Sequence, residues 1–427
     1  MYERSDKLNK KVFLIIIIVI FTFIMTGCWN SRELNTLGIA TAIGIDWVGG
    51  QILATVEIIN PRPVKGMSEA KPGDLVRYVQ GSGDTIFEAM RNVALKFDRK
   101  VFVSQNKIFI FGEEFAKRNL IDYFDVLQRD HEFRETAYIL IAKGKRATDV
   151  MGIYAGIEEI PGLYIEDVVE NKKINPKTVD INISEYIKYY YDSGRQPVLG
   201  VIDRKEKSSI NKINGSENKK EYELITEGCS IFNREKLVGY LDGKETRALN
   251  FVRNEIEGGV IEFPTPLNKA DDYSTPTPSA ESSLDIGPKI SSGKSIFEIT
   301  RSKTKNDLEI KNGKLMLKTK VKMRGMTGEV VGDVDISKRE AIKLMEESCS
   351  RQIKEEIENT IKKVQKDNKV DIFGYGNIVH RKYPKEWRSM KDEWDTIFSQ
   401  AHVEVEVETH IIRTGLVNTP TNKVKGE

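Results

Sequence analysis

Lys107-Ile108-Phe109-Ile110-Phe111-Gly112 is a compact apolar run closed by glycine. Glu113 to Asn119 and Ile121 to Gln128 follow with helical spacing, and Thr136 to Ala142 returns to strand composition. A short apolar run bounded by glycine has the length of a buried strand, and its alternation with helices predicts an α/β or α+β domain. Upstream, Leu37 to Trp47 and Gln51 to Asn60 are rich in Ile, Ala, Thr and Val and are separated by Gly49-Gly50, which predicts a hairpin. Asp84 or Thr85 then caps a helix in which Ile86, Met90, Val93 and Phe97 recur at steps of three and four, a stripe suited to packing on a sheet.

Downstream, the composition shifts between Ile202 and Lys220 to Lys, Asn, Ser and Glu, the mark of an exposed boundary. Glu227 to Phe232 and Lys236 to Leu241 read as two strands around the turn Asn233-Arg234-Glu235, followed by a helix from Lys244 to Asn254 and a strand from Gly258 to Phe263. Pro264 to Gly293, with Pro, Ser and Thr clustered from Tyr273 to Ser283, has the composition of a linker or long loop. From Ser295 to Val334 apolar and charged residues alternate, which predicts an antiparallel sheet with one wet face. Ser337-Lys338-Arg339-Glu340 has the spacing of a capping box. Ile342, Met345, Cys349, Ile353, Ile357, Ile361 and Val364 follow it in a long amphipathic helix of roughly 28 residues. Pro384, Trp387, Trp394 and Phe398 predict another helix. Val403, Val405 and Val407 alternate with Glu404, Glu406 and Glu408 in a closing strand whose carboxylates face away from the valines.

At 427 residues, with 39% hydrophobic and 30% charged, the chain is long enough for two or three domains of ordinary globular material. Lys and Arg number 66 against 64 Asp and Glu, a formal charge of +2, so no large field exists to collect nucleic acid, and no nucleic-acid partner is expected. The exception to this ordinary composition is at the start. Arg4, Lys7, Lys10 and Lys11 precede an apolar run from Val12 to Met25, and Thr26, Gly27 and Cys28 close it. This is the layout of an export signal, short for about 30 Å of hydrocarbon and ending in small residues. The competing reading is an uncleaved membrane anchor. Met25-Thr26-Gly27-Cys28 resembles the bacterial lipobox, which implies cleavage before Cys28 and a diacylglyceryl group on its sulfur. Met25 departs from the usual Leu, a mild change for an unbranched apolar side chain of similar volume. Trp29 then lies at headgroup depth, where indole is favoured.

The expected fold class is therefore α/β (α+β), with three mixed sheet-and-helix domains following a lipoprotein signal peptide. The expected boundaries are a signal peptide at 1–27, an N-terminal α/β domain at 28–200 and a small middle α/β domain at 201–263. A Pro/Ser/Thr-rich linker or loop follows at 264–294, then a C-terminal α+β domain with the long helix at 295–415 and a tail at 416–427.

A search for chemistry finds little. The four histidines, His131, His380, His402 and His410, have no second ligand at zinc-motif spacing, so no metal and no cofactor are expected. Gly81-Ser82-Gly83 lacks the following Lys of a phosphate loop and reads as a turn into a capped helix; no G-x-S-x-G string is present. Glu113-Glu114 and Glu158-Glu159 are adjacent carboxylates of the kind found at solvated helix ends. Cys229 and Cys349 sit in apolar periodic segments and are expected as two separate buried thiols, the alternative being a disulfide between them. Trp387 and Trp394, seven apart, read as core. No catalytic residue is assigned.

Gly27-Cys28-Trp29-Asn30-Ser31-Arg32-Glu33-Leu34-Asn35, Ala42-Ile43-Gly44-Ile45-Asp46, Lys107 to Ala116 and Arg129-Asp130 occur in that order. They are followed by Leu237-Val238-Gly239-Tyr240-Leu241 with Glu245, and by Asp371-Ile372-Phe373-Gly374-Tyr375-Gly376 with Pro384 and Trp387. In these stretches the chain resembles the Ger(x)C family of spore germination lipoproteins, the C subunits of nutrient germinant receptors. One departure is Gln105-Asn106, which stands where a Ser-His pair is expected; any role of that histidine is not shared here. The resemblance implies a three-domain α/β protein, lipid-anchored through Cys28 on the outer face of the spore inner membrane. Its implied partners are a multi-spanning A subunit and a transporter-like B subunit. The function implied is non-catalytic: a tethered module that assembles or couples the receptor. The alternatives are a solute-binding lipoprotein that captures a nutrient directly, and a cell-wall or lipid-modifying enzyme.

Overall fold

The computed structural model describes residues 12–16, 36–60, 75–118, 120–130, 132–154, 156–207, 221–266, 290–311, 314–332 and 334–413. The lipobox with Cys28, most of the linker expected at 264–294 and the tail expected at 416–427 lie outside them. Residues 12–16 form a short helix, α1, whose apolar side chains are exposed.

The first sheet begins with the expected hairpin, β1 (Leu37–Val48) and β2 (Gln51–Ile59), turned through Gly49 and Gly50, both at positive φ. β3 (Val76–Gly83) adds antiparallel to β2, and α2 (Ile86–Val93) returns over it, capped by Thr85 Oγ1 accepting from Glu88 N. The helix ends at Val93, before the expected Phe97, because Phe97 turns back to cover Gly38, where a Cβ would sit 2.3 Å from its ring. Gly81 and Gly83 belong to β3 rather than to a turn. Helix α2 crosses so close that a Cβ on Gly81 would meet the Ala89 carbonyl oxygen at 2.1 Å, an approach that glycine permits.

β4 (Lys100–Phe102) and β5 (Ile108–Gly112) both run parallel to β1. After the short α3 (Glu113–Ala116) and α4 (Leu120–Arg129), β6 (Tyr138–Ala142) lies parallel to β5. α5 (Pro161–Glu170) and α6 (Ile183–Tyr190) lead to β7 (Val198–Glu206), parallel to β6, with β8 (Tyr222–Ile225) along its outer end. β9 (Cys229–Asn233) and β10 (Lys236–Leu241) extend the same sheet antiparallel, giving the order β10-β9-β7-β6-β5-β1-β2-β3. The central strands β1, β5, β6 and β7 are buried by α2, α4 and α6 on one face and by α5 on the other, as parallel strands require.

α7 (Gly243–Arg253) then leaves the first sheet for the second. β11 (Gly259–Pro266) pairs with β12 (Ile290–Lys311), β12 with β13 (Lys314–Val330), both antiparallel. The strands of the expected middle unit at 201–263 are thus divided between two sheets: β7 to β10 belong to the first and β11 to the second. α8 (Arg339–Lys363) lies across the second sheet and runs on through a π turn at Val364–Asn368. Its stripe Met345, Cys349, Ile353, Ile357, Ile361 and Val364 is buried as expected, with Ala341 taking the place of the half-buried Ile342. The expected capping box does not form: Lys338 is the N-cap, and Ser337 donates from N and Oγ to Asp335 Oδ1 instead.

The expected single helix from Pro384 is α10 (Pro384–Met390), a 3-10 turn and α11 (Trp394–Gln400), preceded by α9 (Tyr375–Lys382). β14 (His402–Arg413) closes the sheet parallel to β13, so this sheet is mixed rather than wholly antiparallel. The long helical connection from β13 to β14 is what a parallel neighbour needs. On the wet face Lys320 bridges Glu406 and Glu408, and Lys322 pairs with Glu408.

Ile353 is fully buried between α8 and the second sheet. Ile353→Asp places an unpaired charge there and is expected to lower the unfolding free energy by roughly 3 kcal/mol or more. Denaturant unfolding of the two proteins checks it.

Candidate functional site

Asp371 occupies the loop after α8 and is completely buried. Its Oδ1 accepts from Phe373 N and Gly374 N at 2.9 Å, and its Oδ2 from Gly376 N at 2.8 Å and Trp394 Nε1 at 3.0 Å. Burial lifts the carboxyl to about 6, against the donors that pull it down. The loop needs Gly374 at positive φ to enter α9 and Gly376 to meet the first sheet's loop, where a Cβ would sit 2.7 Å from Gly194 Cα. Gln196 N donates to the Asp371 carbonyl at 2.7 Å, and Asn377 Nδ2 donates to Asp192 Oδ2 at 2.6 Å. Trp387 and Trp394 pack edge to face behind it at 5.3 Å.

The Leu237 to Glu245 motif makes one bond within the first sheet's own unit and two across the same junction. Tyr240 OH donates to Glu113 Oε2 at 2.7 Å, joining β10 to the start of α3. Lys363 of α8 grips Glu245 at 2.7 Å, and Asn368 Nδ2 donates to the Val238 carbonyl at 3.2 Å. Beneath them α7 carries Arg247, whose Nη2 donates to both oxygens of Glu356 at 2.7 and 2.8 Å and whose Nη1 donates to the Val260 carbonyl at 3.0 Å. Both partners are nearly buried. Six residues along, Arg253 donates through Nε and Nη2 to the Ile372 carbonyl. Lys172 is pinned between Asp180 and Glu255.

Asp46, closing the Ala42 to Asp46 motif, accepts from Ala147 N at 2.7 Å and Thr148 N at 3.2 Å, and Gly112 leaves the room it occupies. Glu57, singled out by no motif, accepts from Thr41 Oγ1, Tyr78 OH and Gly162 N. Burial raises both carboxyls. Their signal was available: each acid is set in a near-continuous apolar run, the composition of a strand buried on both faces.

The thiols of Cys229 and Cys349 are buried, free and pushed up to about 11 and about 12, so neither is a ready nucleophile. Among the described residues no group of three or more His, Cys, Asp or Glu has an arrangement that could hold a metal ion. His380 stacks on Trp387. His402 and His410 are exposed ends of the β14 pattern, and His131 is outside the described residues. Asn106 is buried, with neither amide atom hydrogen-bonded among the described residues. No helix among the described residues is long and apolar enough to cross a membrane.

These contacts define a mixed α/β protein whose two sheets are locked through one buried polar junction. Residues 30–204 match the family model described as spore germination protein N-terminal domain, and residues 227–415 the one described as spore germination B3/GerAC like, C-terminal. The chain belongs to the Ger(x)C family of spore germination proteins, the C subunits of nutrient germinant receptors. It is 27% identical to spore germination protein KC of Bacillus subtilis, over 96% of this chain and 98% of that protein. To spore germination protein B3 of the same organism it is 25% identical, over 92% of this chain and 95% of the relative. The crystal structure of the GerBC protein shares the fold, with a TM-score of 0.51 at 21% identity over 87% of this chain and 96% of that one.

Tyr240→Phe removes the bond to Glu113 and is expected to cost about 1 kcal/mol of stability. Asp371→Asn presents an amide to donors and is expected to cost roughly 2–3 kcal/mol at neutral pH. Because the folded carboxyl lies above its unfolded value of 3.8, its stabilising contribution is complete below that pH and is lost as pH rises through about 6. The stability advantage of wild type over Asp371→Asn therefore shrinks across that window, as urea titrations at a series of pH values will read.

Proposed function

We propose that this chain is a membrane-tethered, non-catalytic subunit that assembles or couples a nutrient germinant receptor. Residues 1–27 act as the export signal and Cys28 carries the lipid, holding the protein on the outer face of the spore inner membrane beside multi-spanning A and B subunits. The observation that carries this reading is the use of the motif residues. Asp46, Glu113, Tyr240, Glu245 and Asp371 are all engaged inside the protein, tying one element to the next. Residues committed to internal joints suit a rigid body that positions partners. The space between the sheets is occupied by Arg247, Glu356 and the Asp371 loop, which favours coupling over nutrient capture in a cleft there.

A diacylglyceryl group supplies two acyl chains, each methylene contributing about 0.8 kcal/mol of membrane affinity, so the tether is effectively stable. Confinement raises the effective concentration at the membrane partners, and a weak interface stays occupied. Cys28→Ser is expected to leave the fold intact, since residue 28 precedes β1, while abolishing acylation and the germination response. Acyl labelling, membrane fractionation and nutrient-triggered germination rates test it; full germination from unlipidated protein would refute the proposal.

A further inference from the structure

The chain enters the first sheet at Leu37, and Thr36 follows Cys28 by eight Cα-to-Cα steps. Fully extended, they reach at most about 29 Å. With the tether proposed above, the end of the sheet where β1 begins is therefore held near the bilayer. That end is formed by the start of β1, the close of β2, the start of β3 and the segment from Ala94 to Lys100, since Ile58 pairs with Arg77 and Leu37 with Lys100.

This end combines an exposed apolar side chain with exposed basic ones. Leu95 is 81% exposed at the tip, next to the exposed Lys96. A concavity beside it is lined by Ile58, Ile59, Asn60, Arg77, Phe97, Asp98 and Arg99. Arg77 is exposed on its rim, and Nη1 of Arg99 is buried without a hydrogen-bond partner among the described residues. Lys100 is already satisfied by Glu132. Among the described residues three unpaired cations stand against the carboxylate of Asp98, around an exposed leucine, and match the anionic phosphates and apolar boundary of a phospholipid leaflet.

We propose that this end is a lipid-facing surface: Leu95 enters the headgroup layer while Arg77, Lys96 and Arg99 bind phosphates of anionic phospholipid. Lipid and patch together fix the orientation as well as the distance of the module, with the Gly49-Gly50 end of the hairpin pointing away from the membrane. This rests on the tether for its placement, but the patch can be tested without the acyl group.

The protein for the test is residues 28–427 carrying Cys28→Ser. Both sheets lie within 36–413, and α1 leaves its side chains exposed. It is sedimented with vesicles of phosphatidylcholine alone and of phosphatidylcholine mixed with phosphatidylglycerol. Binding is expected to the anionic vesicles. A basic residue near such a surface is worth about fivefold in affinity, so Arg77→Ser with Lys96→Ser is expected to bind roughly 30-fold more weakly. Leu95→Ser is also expected to weaken binding. All three positions are exposed, and unchanged unfolding midpoints confirm that the variants are folded. Equal binding to neutral and anionic vesicles, or parental binding by the double variant, overturns the proposal. So does release by inorganic phosphate beyond that caused by chloride of equal ionic strength, which assigns the site to a free anion. A failure of the tether itself registers separately, as missing acyl label on the wild-type chain.

Discussion

Burying a carboxylate without a cation beside it is costly, and Asp371 meets that cost with four hydrogen bonds from its own loop and from Trp394. Phe373 N and Gly374 N are held on one oxygen and Gly376 N on the other, which winds the chain from the end of α8 into α9. That winding carries the Asp371 carbonyl to Gln196 and the Ile372 carbonyl to Arg253. The relation between the two sheets depends on this loop having one shape. Apolar contact alone would allow them to slide.

α7 is the counterpart of that loop. It starts under a capping box of Asp242 and Glu245, ends with Asn254 at positive φ, and is buried along much of its length although its sequence is strongly polar. Its Arg247 and Arg253 reach α8 and the Asp371 loop respectively. A buried ion pair such as Arg247 with Glu356 adds little net stability over apolar residues of the same size, because desolvation offsets attraction. Its geometric demand is larger: two bonds to a carboxylate and one to the Val260 carbonyl hold a helix, a neighbouring helix and a strand at one angle.

On the coupling role proposed above, a rigid joint matters, since a body that bends freely between its domains transmits neither position nor displacement. The thiols of Cys229 and Cys349 are buried, and the carboxylates of Asp46, Glu57 and Asp371 accept backbone donors. The charged ladder of Lys320 and Lys322 with Glu406 and Glu408 lies on the wet face of the second sheet. It keeps that face soluble and discourages pairing with other chains.

Local order was legible wherever it depends on neighbours in sequence. The hairpin at Gly49-Gly50, strand β5, the turn at Arg234 and the apolar stripe of α8 follow from periodicity and turn chemistry, which act over a few residues. The family resemblance was legible in the same way, from short strings in fixed order. Tertiary structure alone decided the rest. Ser337 and Glu340 have capping-box spacing, but Asp335 took the serine. The composition break at 202–220 marked an exposed connection, while hydrogen-bond pairing assigned β9 and β10 to one sheet and β11 to another. Sequence could flag Asp371 as an acid among apolar residues, yet not that Trp394 and the Gly194 loop complete its surroundings. Such partners come from distant parts of the chain, and only the packed structure specifies which of them meet.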